Sequence, residues 1–376
     1  SPVAVLLGPL IAIPITLALI SSMLLVLLGS VPVLGTLLTW AVQASFGLGD
    51  SLVSFGKALP GAFTYVPDVP AWWVGIFYML VIACTILGYW QSHFRYLVLM
   101  GLGWLLLLIP FLQPDVPQGL RLTVLSVGHG TAVVLETPDG RCLVYDAGSL
   151  AGPEVAYRYL SSYLWYRKRS SIDEVFLSHA DLDHFNALPD LLDRFRVGLI
   201  RWTPSFSQKP DAGTKYTLAT LERKQIPASA LTLGVVLQTE GATIEVLHPP
   251  RHGPAGTENA RSLVLLIQYA GRRILLTGDL EEPGLSMVMS SPMGPVDVLV
   301  APHHGSRISN TESFAAWCKP KLVISSETYP RGPKPDPYHI YGGILWRTWV
   351  HGGITVEVDS EIRARTTLTQ QTWTMP

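Results

Sequence analysis

The chain has 376 residues, with 27 basic and 28 acidic side chains, a formal net charge of −1 and three cysteines. That balance excludes a globally basic nucleic-acid binder. Three scattered cysteines, Cys84, Cys142 and Cys318, exclude a disulfide framework. Cys84 falls in an apolar span and Cys142 in a predicted strand, so both read as small core residues.

Charge is distributed very unevenly. No charged residue occurs from Ser1 to Gly49, and only Asp50, Lys57, Asp68, Arg95 and Asp115 carry charge before Pro117. The near-neutral total therefore averages two regions: a helical membrane region, residues 1–116, and a soluble domain, residues 117–376. Val3 to Leu28 is apolar throughout and long enough to cross a hydrocarbon core of about 30 Å. Pro9 and Pro14 lie inside it and predict a kinked or broken helix. Ala71 to Trp90 and Tyr96 to Leu112 are further expected spans. Val31 to Leu48 is a fourth, weakened by Gln43 and several glycines. The first stretch lacks the basic n-region of a signal peptide, and its apolar run is too long for one. It reads instead as part of the end of a longer polytopic region. Trp72, Trp73, Trp90 and Tyr96 stand at span ends, where interfacial anchors collect.

Gln113 to Gly119 reads as a linker. Beyond it short strands are expected at Arg121 to Val127, Thr131 to Thr137 and Arg141 to Asp146, with a turn at Pro138-Asp139-Gly140. A helix is expected at Glu154 to Arg167, then a buried strand from Glu174 to Leu177. A second helix should follow at Phe185 to Phe195, where Leu188, Leu191, Leu192 and Phe195 recur at helical spacing. Later strands are expected near Val197 to Ile200, Thr243 to Leu247, Leu263 to Tyr269, Arg272 to Leu276, Val296 to Ala301 and Leu322 to Ser325. Ser205 to Thr217 reads as a surface loop, and Tyr341 to Val350 as a helix. Strands alternating with helices and hairpins make the soluble part α/β with layered sheets.

Between the buried strand and the second helix stands Ser178-His179-Ala180-Asp181-Leu182-Asp183-His184. One Asp there would be explained as a helix cap. Two Asp bracketed by two His, spaced His-x-Asp-x-Asp-His, point to metal binding instead. Three other places set polar residues directly after an apolar strand: Asp146, Asp279, and His303-His304 before Gly305-Ser306. Sites in layered α/β folds gather at the carboxyl ends of strands, so the repetition points to one site.

In order, Asp146-Ala-Gly148, the His-x-Asp-x-Asp-His cluster, Thr277-Gly-Asp279 and His303-His-Gly-Ser306 resemble the metallo-β-lactamase fold. Its implied architecture is a four-layer αββα sandwich with two metals at one sheet edge. Most members carry His where Asp181 stands. That variant resembles the ComEC/Rec2-type DNA-internalisation competence proteins, as do Val127-Gly-His-Gly130, Glu258-Asn259 and Ser262-Leu-Val264. The resemblance covers Leu120 to about Thr366, and more loosely the apolar region before it.

By that resemblance His179 and Asp181 hold one metal, and Asp183 and His184 the second. Asp279 bridges, and His303 completes the second site, with His304 as the alternative ligand. Where the superfamily supplies another His before the bridging Asp, this chain offers Asn259 or His248. His129 stands where the competence family has Gln, as a polar contact or a loop residue. Asp146 would orient the cluster residues. His339 would contact phosphate or protonate a leaving group, although Ile340 replaces the Pro that follows in the family.

Mixed carboxylate and imidazole ligands suit Mn or Zn, and two such ions suit phosphodiester hydrolysis. Asp183 is the group expected to orient the attacking hydroxide. Ser306 and Arg307 are the expected phosphate contacts. Arg167 to Arg169, Arg194, Arg196, Arg201 and Lys334 read either as further phosphate contacts or as a solvated surface.

The resemblance implies a multi-pass protein of the bacterial inner membrane, its soluble domain facing outside or into the periplasm. Its partners would be DNA, single-stranded by this reading, and other uptake proteins. The expected function is a nuclease degrading the strand that is not transported. The rival readings are another hydrolase of the same fold, such as a lactonase or small phosphodiesterase, and a degenerate DNA-binding or transport domain.

Overall fold

The computed structural model describes residues 2–59, 71–88, 101–103, 115–329, 332 and 336–376. The expected span Tyr96 to Leu112, apart from 101–103, lies outside the described residues, as does Lys334. The chain divides into two compact units, Ser1–Val66 and Pro67–Pro376.

The first unit is a pair of packed helices, α1 (Pro2–Leu28) and α2 (Pro32–Ala58). Pro9 and Pro14 sit inside α1 without ending it, so the expected break is absent. Among the described residues, Leu7–Leu28 is the one helical stretch long and apolar enough to cross a membrane by length and composition. The second helix runs well past the expected Leu48 and carries Asp50 and Lys57. In the second unit, α3 (Ala71–Gly88) matches the described part of the span expected from Ala71.

Two sheets follow. The chain enters through β1 (Leu120–Val124), β2 (Ala132–Glu136) and β3 (Cys142–Ala147), then α4 (Pro153–Tyr166) and β4 (Ser171–Phe176). Short helices α5 (Leu182–Phe185) and α6 (Leu188–Leu192) lead to β5 (Arg196–Trp202), α7 (Ala212–Lys224) and β6 (Ala228–Ala230). The other sheet holds β7 (Val236–Thr239), β8 (Ala242–His248), β9 (Val264–Tyr269) and β10 (Arg272–Leu276). It continues through α8 (Gly284–Met289), β11 (Val298–Val300), α9 (Glu312–Cys318), β12 (Leu322–Ser325), β13 (Ile344–Arg347) and α10 (Thr348–His351). The chain then returns to the first sheet as β14 (Ile354–Val358), β15 (Ile362–Thr366) and β16 (Thr372–Met375). The nine-stranded sheet runs β16-β15-β14-β1-β2-β3-β4-β5-β6, and the seven-stranded one β13-β12-β11-β10-β9-β8-β7.

Successive strand residues point to opposite faces, and here both faces are buried. Val133, Leu135, Leu143 and Tyr145 meet Ile244, Val246, Leu265, Ile274 and Leu276 between the sheets. Their neighbours Val134, Val144 and Val175 face outward onto Leu160, Leu164 and Leu188 of the helices. On the far side Leu275 and Leu299 pack on Leu285, Val288, Phe314 and Cys318. The layers are therefore αββα, as the resemblance implies, and continuous apolar runs are what two covered faces require.

Three expectations fail locally. The helix expected from Phe185 to Phe195 is split at Asn186–Ala187, where the Ala187 amide bonds the Ala147 carbonyl and Pro189 follows without an N–H to give. Ser205 to Thr217 is a loop only to Asp211, whose side chain accepts from the Thr214 amide and caps α7. The helix expected from Tyr341 to Val350 is interrupted by β13 at Ile344–Arg347, paired in parallel with β12, and is α-helical only from Thr348.

Candidate metal centre

Four strand ends converge on one place. β3 and β4 are parallel neighbours, as are β10 and β11, and each of these four strands is followed by the polar residues noted above. Parallel strands deliver their carboxyl ends to the same edge, so Asp146, the Ser178–His184 loop, Asp279 and the His303–His304 turn meet there.

Close backbone approach builds the loops. A Cβ on Gly148 would lie 2.5 Å from the His184 nitrogen, so only glycine lets β3 exit under the metal-binding loop. Gly278, at φ +53°, would place a Cβ 2.8 Å from Ser178 Cβ. Asp146 (φ 60°), His303 (φ 49°) and His304 (φ 49°) are held left-handed, a conformation costly to side-chain-bearing residues and concentrated at functional sites. Asn310 secures the last of these turns: its amide donates to the Pro302 (2.8 Å) and Ser306 (2.7 Å) carbonyls, and Tyr338 donates to its Oδ1.

Hydrogen bonds fix the imidazoles. His184 Nδ1 donates to Asp146 Oδ2 at 2.7 Å, while Asp146 also accepts from the Ser178 amide and hydroxyl. His179 Nδ1 donates to Ser178 Oγ at 2.9 Å, and His304 Nδ1 to the Ser326 carbonyl at 2.9 Å. Each ring therefore turns Nε2 toward the site, where His179 and His184 Nε2 and Asp279 Oδ1 are buried without a hydrogen bond, beside the buried His304 ring. Asp183, His184, Asp279 and His304 bring one ligand atom each within 4.8 Å of all the others. His184 Nε2 is 3.2 Å from Asp279 Oδ1, and His304 Nε2 is 3.3 Å from Asp279 Oδ2 and 3.4 Å from Asp183 Oδ2. Buried, unbonded imidazole and carboxylate atoms converging in this way fit a divalent cation.

The electrostatics agree. Burial opposes charge on His184 and His304, but the Asp279 carboxylate outweighs it: His184 is held well above the usual imidazole range and His304 at about 9. Burial likewise opposes charge on Asp183 and Asp279. The facing imidazoles win, lowering Asp183 to about 2 and holding Asp279 well below the usual carboxylate range. Protons on His184 and His304 thus share the carboxylates that a cation would take.

The other expected residues fall around this cluster. His179 Nε2 is 3.5 Å from Asp181 Oδ2, and its ring lies 4.1 Å from that of His184, so the pair flanks the four groups. Asp181 Oδ1 receives the Lys209 ammonium at 2.6 Å, and Lys209 also donates to the Ala180 carbonyl. Lys209 was missed because it stands in a Pro- and Gly-rich stretch with no spacing signal. His303 is near the cluster but turned: Nε2 lies 3.8 Å from Asp279 Oδ2, and Nδ1 lies 3.4 Å from Glu281. The His129 ring lies tilted at 47° against that of His304, 4.4 Å away, and its Nε2 sits 3.7 Å from Asp183 Oδ2.

His248 is buried and donates Nδ1 to the Ser262 carbonyl, outside the four-group cluster. Asn259 opens a helical turn, its Oδ1 buried without a hydrogen bond. Ser306 and Arg307 follow the His turn, Arg307 exposed. His339 is exposed and bonds the Asp336 carbonyl through Nδ1. Arg167 and Arg169 are buried around Glu136 in the sheet's flank, which removes them from the phosphate-contact candidates.

A model of the metallo-beta-lactamase superfamily matches residues 125–316, which hold all four clustered groups. The chain belongs to the metallo-beta-lactamase superfamily. Within it the ComEC/Rec2-type resemblance holds. The chain is 27% identical over 250 residues to ComE operon protein 3 of Bacillus subtilis (63% of this chain, 32% of that protein). It is 27% identical over 244 residues to Recombination protein 2 of Haemophilus influenzae (63% and 28%). It is 25% identical over 244 residues to Competence protein ComA of Neisseria gonorrhoeae (62% and 32%). The chain thus spans about a third of the length of these curated relatives.

Proposed function

We propose that this chain is a membrane-tethered, metal-dependent phosphodiesterase that cuts DNA during competence-type uptake, degrading the strand that is not carried across. The observation that carries the reading is the convergence of buried Nε2 and Oδ atoms from His184, His304 and Asp279 beside Asp183. The names of the relatives support DNA uptake. The apolar helices support a tether, with residues 1–116 as a multi-pass region of three to four spans and residues 117–376 as the hydrolase.

Bound Mn or Zn would polarise a phosphate oxygen and lower the pKa of a coordinated water. His184, Asp279 and His304 would hold such an ion, with His179 and Asp181 available to a second. Asp183 is the least buried of the four groups and the one that His129 also approaches, so it faces the mouth of the site. Its carboxylate stays ionised down to about pH 2 and can accept a hydrogen bond from an attacking water and so orient it. Ser306 and Arg307 follow the His304 turn and would meet the phosphate.

One observation favours a second reading, a domain that binds DNA with a single ion or none. Lys209 already neutralises Asp181 at 2.6 Å, and Asn259 replaces a superfamily His. The test is Mn-dependent cleavage of labelled single- and double-stranded DNA by the full chain in detergent, against Asp183→Asn. The proposed enzyme cleaves, and the variant loses turnover about 100-fold or more while still binding DNA. Intact DNA with a fully metallated protein would overturn the enzyme reading, and turnover of a lactone alone would point to the other hydrolase class.

A further inference from the structure

We infer that a polar cavity beside the metal centre is a second phosphate subsite, which holds the nucleic-acid strand one step along from the scissile bond. The cavity measures about 240 Å³ and lies between the turn at Phe206–Gln208 and the loops at 249–253 and 259–261. Ser205, Gln208, Arg251, His252 and Arg261 line it. The opposing carboxylate is Glu258, and both its oxygens are used: Ser205 Oγ donates to one at 2.9 Å and Arg261 Nη1 to the other at 2.9 Å. That leaves the exposed Arg251 and His252 with no hydrogen bond or ion pair to the described residues, and the cavity carries excess positive charge. An apolar ligand does not suit such walls. An anion that takes several N–H donors at once does, and phosphate is the anion of that geometry.

Two chain connections tie the cavity to the metal centre. Gln208 precedes Lys209, whose ammonium sits on Asp181. Arg261 precedes Ser262, whose Oγ accepts from the Asp279 amide at 3.2 Å and lies 3.4 Å from His179 Nδ1. Adjacent residues are separated by about 3.8 Å between Cα atoms, so two walls of the cavity are next in chain to residues that touch Asp181, Asp279 and His179. A strand with one phosphate at the metal centre would bring its neighbour here. The identity of the strand rests on the phosphodiesterase reading; the anion site does not.

The test is fluorescence anisotropy of a short labelled single-stranded oligonucleotide on the full chain in detergent. It is run in chelator, so that binding is read without cleavage, and across a salt series. The double variant Arg251→Ala/His252→Ala should bind about 3- to 10-fold more weakly, its log–log salt slope flattened by about 0.7 per lost charge. Arg251→Lys, alone, should keep most of the affinity, and Arg365→Ala, an exposed change on β15, should bind as the wild type does. Unchanged affinity and slope in the double variant would overturn the subsite. So would a wild type that does not bind the oligonucleotide, whereas inorganic phosphate that displaces it as well as unlabelled strand does upholds the anion site and overturns its assignment to a strand. A wild type that binds and shows the variant losses but cleaves nothing with Mn upholds the subsite and removes the enzyme reading alone.

Discussion

Asp146 never enters the ligand cluster, yet it sets the ring of His184 through one 2.7 Å hydrogen bond. Asp146→Ala should therefore lower metal affinity about 10- to 100-fold with the four ligands intact, measured by competition with a chromogenic chelator. Asp279→Ala should abolish high-affinity binding outright, because Asp279 faces His184 through one oxygen and His304 through the other. Proton linkage follows from the same contacts. His304 is raised from 6.5 to about 9, so in metal-free protein its ion pairing stabilises fully below pH 6.5 and is lost as pH rises through 9. Metal must displace that proton, so affinity should increase from pH 6.5 toward 9 with protons released on binding. Metal affinity independent of pH over that window would contradict the assignment of His304 as a ligand.

At the level of single elements, the cap on α7 is the clearest local determinant. Asp211→Ala should cost about 1 kcal/mol, read as a lowered midpoint in thermal unfolding. That helix was not legible in the sequence because the Pro, Gly and Ser signals before Asp211 ran on into it. The strands of the two central layers were legible, since burial on both faces leaves unbroken apolar runs such as Val298–Val300 and Leu322–Ser325. Edge elements were not: β6, β7 and β16 alternate exposed and half-buried residues and carry no such run. The cluster was legible for the same reason as the core strands, because each clustered group lies in the loop or turn that follows one. What the sequence could not separate was His303 from His304. Two adjacent left-handed residues send their rings in different directions, and only the turn held by Asn310 and Tyr338 decides which meets Asp183. Asn310→Ala, which leaves two carbonyls without their donor, should therefore weaken metal binding as well as stability, by about 1–3 kcal/mol for the latter.

Across the whole molecule, the proposed membrane region, residues 1–116, and the proposed hydrolase, residues 117–376, should differ in solvent. Full-length chain should need detergent for extraction, whereas a fragment from Asp115 to Pro376 should remain in solution; recovery of the full chain by a salt wash alone would contradict a spanning α1. The strand order has a consequence for how the domain is made. β1, the first strand after the apolar region, is not at an edge: it lies between β2 and β14, with Leu120 opposite Val358 and Arg121 bonded to Glu357 across 236 positions of chain. Its pairing partner is therefore synthesised after every other strand of both sheets except β15 and β16. A nascent chain holds β1 with one side open until nearly the whole domain has left the ribosome, and such long-range pairing folds slowly. A stop after Gly352 would leave that open side permanently. Such a product should be recovered as aggregate or degraded, although every clustered metal-ligand candidate is present in it.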